Sequence, residues 1–74
     1  MYTVIAKASC PWCDKAEDLI VDKLGSVHVI DVGEEPWLRP IMLKAELKTV
    51  PQIITPEGEL IHGYEALVEH LEES

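Results

Sequence analysis

Residues 6–20 read AKASCPWCDKAEDLI and place Cys10 and Cys13, the two cysteines of the chain, three positions apart. Pro11 suits the first position of a helix, and Gly25 suits the residue just past its end. Between them, apolar residues recur at the spacing of one helical face: Cys13, Ala16, Ile20 and Leu24. The stretch therefore predicts a helix that begins directly after Cys10, with Cys10 as its N-cap.

Short apolar runs on both sides of this helix predict the remaining elements. Residues 2–6 are typical of a buried strand, and residues 27–32 are typical of a second strand. A shorter helix is predicted from about Pro40 to Leu47, carrying Ile41 or Met42, Ala45 and the Leu43/Leu47 pair. Strands at 51–55 and 59–62 flank the turn signal PEG, and the last helix carries one apolar face of Tyr64, Leu67, Val68 and Leu71. The order is βαβαββα, and a parallel crossover followed by a hairpin predicts a mixed sheet.

Length and charge restrict the class of protein. Seventy-four residues make a single domain, 1–74. The formal charge of −8, from 14 acidic and 6 basic residues, argues against nucleic acid and anionic membranes as partners. The start lacks the features of a secretory signal, and no apolar run approaches the roughly 20 residues of a membrane span. We therefore expect a cytoplasmic protein, in which a CxxC pair is more often catalytic or metal-binding than structural.

The position of the two cysteines favours a redox couple. The two alternatives are that they form half of a metal site or that they are unrelated small apolar residues. A helix N-terminus carries unpaired N–H groups and a positive partial charge, which favour a thiolate at Cys10. Lys7, three residues earlier, adds positive charge. Cys13 lies one turn further along the predicted helix, on its buried face. From there its thiol is placed to displace whatever is bonded to Cys10. Cys10 is thus the candidate nucleophile and Cys13 the resolving thiol.

Four motifs in the same order resemble the glutaredoxin family and cover nearly the whole chain. CPWC resembles its Cys-Pro-aromatic-Cys active site, and KASC resembles its Lys three residues before the first cysteine. KTVPQI resembles its basic-Thr-Val-Pro segment, and HGYEAL resembles its Gly-Gly turn that opens the last helix. The resemblance implies an α/β thioredoxin-like (glutaredoxin) fold with strand order 2-1-3-4, helices on both faces of the sheet and a cis peptide before Pro51.

The resemblance also implies a glutathione-dependent thiol-disulfide oxidoreductase that reduces protein disulfides and protein–glutathione mixed disulfides. Glutathione would be a co-substrate rather than a tightly bound cofactor, no metal is expected, and the protein would be a monomer. Ribonucleotide reductase is a possible protein partner. The implied glutathione site comprises Lys7, Trp12, Lys48, Thr49, Val50, Pro51, Gly63, Tyr64 and Glu65.

Each part of that site has an implied role. The backbone of Val50 pairs with the cysteine of glutathione, and Lys7 and Lys48 lie near its glycine carboxylate. The turn 63–65 holds its γ-glutamyl end, with helix amides for the carboxylate. For Arg39, a contact with the glutathione carboxylate and a plain surface role both stay open. His28 and His70 are predicted to be structural.

The sequence departs from the family at three positions. His62 stands where the family commonly has the first Gly of the pair, Glu46 replaces a common Gly, and Trp12 replaces Tyr. His62 would narrow the glutathione groove, which keeps a second hypothesis open: a glutaredoxin-like redoxin reduced by thioredoxin reductase. A third is an iron–sulfur or zinc carrier with Cys10 from each of two subunits, against which Pro11 counts because cluster-binding relatives usually carry a smaller residue there.

Overall fold

The computed structural model describes residues 1–47 and 49–73 and has the predicted element order. The elements are β1 Thr3–Ala6, α1 Pro11–Leu24, β2 His28–Asp31, α2 Leu38–Lys44, β3 Gln52–Ile54, β4 Leu60–His62 and α3 Tyr64–Glu73. Within the described ranges, no helix combines the length and the apolar character that crossing a membrane requires.

The four strands form one sheet in the order β2-β1-β3-β4. Strand β1 pairs in parallel with β2, so that Thr3 lies opposite His28, and antiparallel with β3. Strands β3 and β4 form the antiparallel hairpin, with Gln52 opposite His62. The Val50–Pro51 peptide bond is cis. The mixed sheet, the strand order and the cis bond are therefore confirmed.

Alternate residues of β1 enter two separate apolar cores, because successive side chains of a strand point to opposite faces. Val4 and Ala6 pack with the buried faces of α1 and α3. Ile5 packs on the other side with a smaller set: Val32, Leu38 and Met42. The helices thus cover both faces of the sheet, as the resemblance implied.

Helix α1 follows its predicted pattern except at the last residue. Cys13, Ala16 and Ile20 are fully buried, whereas Leu24 is 49% exposed. Gly25 has φ +89° and donates its N–H to the Val21 carbonyl at 2.8 Å, which ends the helix. The prediction that Leu24 belongs to the buried face is wrong, since the buried stripe ends before the helix does.

Helix α2 starts and ends earlier than predicted. It begins at Leu38, so Pro40 is its third residue, and a proline is tolerated in the first turn because the N–H groups there have no acceptor within the helix. Met42 is buried, but Leu43 is 70% exposed, so Leu43 does not join Leu47 in packing against the core.

The chain leaves α2 through a Schellman motif centred on Glu46. Glu46 donates its N–H to the Leu43 carbonyl at 3.1 Å, and Leu47 donates to the Met42 carbonyl at 2.8 Å. Leu47 then packs in the same core cluster as Met42, the hydrophobic contact that accompanies this motif. Glu46 adopts φ +61°, a left-handed conformation in which a glycine is at ease. This turn directs the chain towards the segment that precedes β3.

The last helix closes the structure over the first core. Leu67 is fully buried, and Tyr64, Ala66 and Leu71 are partly buried against the same cluster. The Tyr2 hydroxyl lies 3.0 Å from Nε2 of His70 and ties the start of the chain to α3. Burial, followed by the nearby Glu57 and Glu59 carboxylates, raises the pKa of Tyr2 and keeps this hydroxyl protonated. This contact with Tyr2 agrees with the structural role predicted for His70.

Replacement of Glu46 by glycine is expected to stabilise the protein. A non-glycine residue in the left-handed region destabilises the folded state by roughly 1 kcal/mol relative to glycine. Glycine also increases the conformational freedom of the unfolded chain, which offsets part of this gain in stability. We expect Glu46→Gly to raise the free energy of unfolding by several tenths of a kcal/mol, measured by urea denaturation. Glu46→Ala is the matched control, because it removes the same charge and keeps the strain. An equal gain in both variants would assign the effect to charge and contradict the conformational explanation.

Candidate active site

The junction between β1 and α1 places Cys10 at the N-cap that the sequence predicted. Ser9 adopts φ +58° and turns the chain, and Cys10 has the extended backbone of an N-cap, with φ −114° and ψ 97°. The Cys10 carbonyl accepts the N–H groups of Cys13 and Asp14 at 3.1 and 3.2 Å. The Sγ of Cys10 accepts the same Cys13 N–H at 3.2 Å. The first sulfur therefore lies at the positive end of the helix.

The two cysteines form a disulfide but have different surroundings. Their Cα atoms lie 5.2 Å apart. Cys13 is completely buried in the core with Ala16 and Ile20, whereas Cys10 retains 8% exposure. Cys10 lines an open cavity, and Cys13 lines neither of the two cavities described below. A substrate that approaches through a cavity therefore meets the sulfur of Cys10 first.

The larger cavity has a volume of about 690 Å³ and lies between the start of α1, helix α2 and the turn before β3. Lys7 and Arg39 line it together with Cys10, so that two cationic side chains share a cavity with the accessible sulfur. Met42 and Leu47 contribute apolar surface from α2 and the turn that follows it. The cavity thus suits a ligand that carries both a carboxylate and apolar surface beside its reacting sulfur.

The smaller cavity, of about 280 Å³, lies on the other side of Val50, which lines both. Its wall includes Pro51 and the turn 63–65 at the start of α3. Gly63 has φ +90° and donates its N–H to the Pro51 carbonyl at 3.1 Å, which holds this turn against the segment before β3. An added Cβ would have open space around it, so lack of room does not require a glycine here. The positive φ does, because it strains the backbone of a residue that carries a side chain.

The residues predicted from the resemblance to contact glutathione fall on these two cavities. Lys7, Thr49 and Val50 line the larger one, and the smaller one is lined by Val50, Pro51, Trp12, Gly63, Tyr64 and Glu65. Lys48 lies outside the described residues. Arg39, for which two roles stayed open, lines the larger cavity. The structure thus brings the described candidates together around Cys10 and Val50.

Trp12 projects from the first turn of α1 and forms one wall of the smaller cavity. It is 52% exposed, as expected for a side chain with no helical face to fill. Its ring lies 5.6 Å from the ring of Tyr64, and the Nζ of Lys15 lies 4.5 Å from its centroid. These two contacts hold Trp12 at the edge of the cavity rather than in the core.

The sequence did not indicate the apolar wall of the larger cavity or the hydrogen-bond partner of His62. The apolar side chains Met42, Leu43 and Leu47 were assigned only to packing, yet all three line the larger cavity. His62, undecided at first, lines the smaller cavity and has its Nδ1 2.9 Å from Oε1 of Gln52. The register of β3 and β4, which places Gln52 opposite His62, is the feature that would have indicated this contact.

No acidic side chain is among the described residues that line the larger cavity, whereas α1 carries several. Burial, and then the neighbouring Asp14 and Asp18, raise the pKa of Glu17 on this helix.

Among residues 1–47 and 49–73, no group of three or more His, Cys, Asp or Glu side chains converges in a way that would hold a metal ion.

Several solved structures share this fold, and they include two glutaredoxins and a thioredoxin-like protein. A complex of buckwheat glutaredoxin with glutathione matches with a TM-score of 0.79 and 17% identity over 97% of this chain and 68% of that one. The dithiolic glutaredoxin 2-C-Grx1 of Trypanosoma brucei brucei matches with a TM-score of 0.76 and 26% identity over 97% and 76%. The thioredoxin-like protein BC3987 matches with a TM-score of 0.78 and 19% identity over 99% and 97%.

Sequence comparison decides the family. A search among curated protein sequences found no significant match. The family model described as glutaredoxin matches residues 1–61, which include both cysteines of the CxxC motif. Since this match spans most of the chain and the cysteine pair is joined at the expected position, the chain belongs to the glutaredoxin family of thiol-disulfide oxidoreductases.

Proposed function

We propose that this protein is a glutathione-dependent dithiol oxidoreductase that reduces protein disulfides and protein–glutathione mixed disulfides. The observation that carries the proposal is the asymmetry of the cysteine pair. Cys10 lines a cavity at the N-terminus of α1, and Cys13 is buried directly behind it with its N–H on the Cys10 sulfur. Such a pair has one sulfur for attack and one for resolution.

In the first half of the reaction, the Cys10 thiolate attacks one sulfur of the substrate disulfide. The substrate's S–S bond breaks, one substrate thiolate leaves, and the other sulfur is bonded to Cys10. The helix N-terminus stabilises the thiolate before the attack, because it presents N–H groups and a positive partial charge there. Lys7 and Arg39 are cationic side chains among the described residues that line the cavity in which this attack takes place.

The second half depends on the substrate. With a glutathionylated protein, Cys10 becomes bonded to glutathione, and a second glutathione thiolate releases oxidised glutathione and restores Cys10. With a protein disulfide, the Cys13 thiolate displaces the bound substrate thiol and forms the Cys10–Cys13 disulfide seen in the structure. Two glutathione molecules then reduce that disulfide to the dithiol, and they are oxidised to one molecule of glutathione disulfide.

The cavities on the two sides of Val50 support glutathione as the co-substrate. Its glycine carboxylate would lie beside Lys7 and Arg39, where Lys48 is also expected from the sequence. Its cysteine would pair with the Val50 backbone, and its γ-glutamyl end would reach the turn 63–65 in the smaller cavity. The buckwheat protein, which shares the fold, was solved with glutathione bound.

The proposal extends to partners and location on the strength of the resemblance alone. Disulfide-containing and glutathionylated proteins of a reducing, cytoplasmic compartment are the proposed substrates, with ribonucleotide reductase as one candidate. The protein would work as a monomer. His62, which lines the smaller cavity at a position where the family commonly has a glycine, favours one competing hypothesis: the same Cys10 and Cys13 chemistry with thioredoxin reductase as the electron donor.

A comparison of electron donors tests the proposed function. We expect NADPH to be consumed when the protein, glutathione and glutathione reductase act on a small glutathione mixed disulfide. Thioredoxin reductase in place of the glutathione system is expected to give only background consumption. The Cys10→Ser variant is the matched control for uncatalysed exchange. Activity with thioredoxin reductase alone would overturn glutathione dependence and leave the thiol-disulfide chemistry intact.

The reactivity of the two thiols is expected to differ in the reduced protein. Iodoacetamide at pH 6 should alkylate Cys10 well before Cys13, because an ordinary thiol is mostly protonated at this pH and Cys13 is buried. Peptide mass spectrometry of samples quenched over time measures the two rates. The same experiment in urea is the control, since unfolding should make the rates converge. Equal rates in the folded protein would remove the basis for naming Cys10 the nucleophile.

Serine variants separate the tasks of the two cysteines. Cys13→Ser should retain much of the activity on glutathione mixed disulfides, because a second glutathione can release the product. On a protein disulfide it should accumulate a covalent complex that mass spectrometry detects. Cys10→Ser should lose both reactions. A folded Cys13→Ser variant without activity on either substrate, or a Cys10→Ser variant that turns over, would refute the assignment.

A further inference from the structure

A chain of hydrogen bonds joins His62 on β4 to the segment before β3. Gln52 is 2% exposed, and its side-chain amide lies between the two. Its Nε2 donates to the Thr49 carbonyl at 2.9 Å, and its Oε1 lies 2.9 Å from Nδ1 of His62. The sequence placed His62 at the glutathione groove but indicated no hydrogen-bond partner for it, and it indicated no role for Gln52.

The orientation of the Gln52 amide decides which nitrogen of His62 carries a proton. A side-chain amide donates only through nitrogen and accepts only through oxygen. Because the Thr49 carbonyl takes the amide nitrogen, the amide oxygen faces His62 and can only accept. Nδ1 of His62 must therefore be protonated, since two acceptors at 2.9 Å would repel each other. The hydrogen-bond network thus makes His62 a donor to Gln52.

This donation acts on the backbone around Val50. The Thr49 carbonyl, held by Gln52, directly precedes Val50, and the Pro51 carbonyl, held by the Gly63 N–H at 3.1 Å, directly follows it along the chain. The end of β4 thus holds the chain on both sides of Val50, which lines both cavities. On one side the backbone N–H of Gly63 makes the hydrogen bond, and on the other the side chain of His62 acts through Gln52.

We propose that His62 is a positioning residue for the disulfide substrate. Through Gln52 it holds the Val50 backbone in the orientation that pairs with the half-cystine of the substrate, an inference that rests on the role given to Val50 in the proposed function. A glycine, which the family commonly has here, offers no side-chain donor. In this chain the imidazole therefore adds a hydrogen bond at the expense of room in the smaller cavity.

Two substitutions separate the hydrogen bond from the bulk of the ring. His62→Asn keeps an N–H donor near the position of Nδ1 and removes most of the ring from the cavity. His62→Leu keeps a side chain of similar bulk and removes the donor. If the proposal is correct, His62→Leu raises the KM for a glutathionylated peptide about fivefold with little change in kcat, because a contact made in both ground and transition states is weakened. His62→Asn stays within about twofold of the parent protein.

The opposite pattern would overturn the proposal. If His62 only narrows the cavity, His62→Asn lowers the KM and His62→Leu resembles the parent protein. If His62 is only structural, both variants lose stability in urea and neither changes the KM. Nitrogen NMR of His62 in the parent protein provides an independent check, since an unprotonated Nδ1 at neutral pH would also refute the hydrogen bond on which the proposal depends.

A readout without turnover distinguishes failure of this proposal from failure of the proposed function. Hydrogen exchange at the Gly63 N–H, corrected for the effect of the neighbouring substitution, reports whether the segment around Val50 is held. Faster exchange in His62→Leu than in His62→Asn supports positioning even if the parent protein proves not to use glutathione. Equal exchange in both variants refutes positioning even if glutathione activity is high.

Discussion

The N-cap at Cys10 is the constraint on which the rest of the structure depends. Pro11 has no N–H to donate, so the free amides of the first turn begin with the residues that follow it. Cys13 gives its N–H to the sulfur and carbonyl of Cys10, which fixes the start of α1. From that start, the helical period carries Cys13, Ala16 and Ile20 onto β1 and leaves Cys10 facing a cavity. One local geometry thus sets both the packing of the main core and the exposure of the first sulfur.

The rest of the site is assembled by segments that are distant in sequence. The Schellman turn at Glu46 directs the chain away from α2, and the cis bond at Pro51 leads into β3. The end of β4 then holds the segment between them through Gly63 and His62. Helix α2 packs on one face of the sheet, and α1 and α3 pack on the other. The positions of Val50 and Cys10 therefore depend on both apolar cores.

Local signals in the sequence predicted the parts of the fold that local interactions determine. Pro11 and Gly25 fixed the limits of α1 to the residue, and the PEG turn located the hairpin. The limits of α2 were wrong because Pro40 reads as a helix start, although the first turn tolerates it at the third position. The positive φ at Glu46 cannot be read from a glutamate itself, and the only indication of it was the glycine that the family commonly has at this position.

The candidate site shows the same division between local and long-range information. The resemblance supplied the residues around the two cavities, including Lys7 and Trp12. The contact of His62 with Gln52 depends on strand register, and the apolar wall of the larger cavity depends on how α2 packs. Neither follows from residue type or spacing, because both arise between elements that meet only in the folded chain.

The depth of Cys13 also bears on oxidative damage. Peroxide converts an accessible thiolate to a sulfenic acid, and a second equivalent carries it to the irreversible sulfinic state. A sulfenic acid on Cys10 would already have a second thiol beside it, since the two Cα atoms lie 5.2 Å apart. Condensation of the two sulfurs to a disulfide requires no diffusing partner, and Cys13 is shielded from the oxidant by complete burial. The arrangement therefore favours a reversible outcome whenever Cys10 is oxidised.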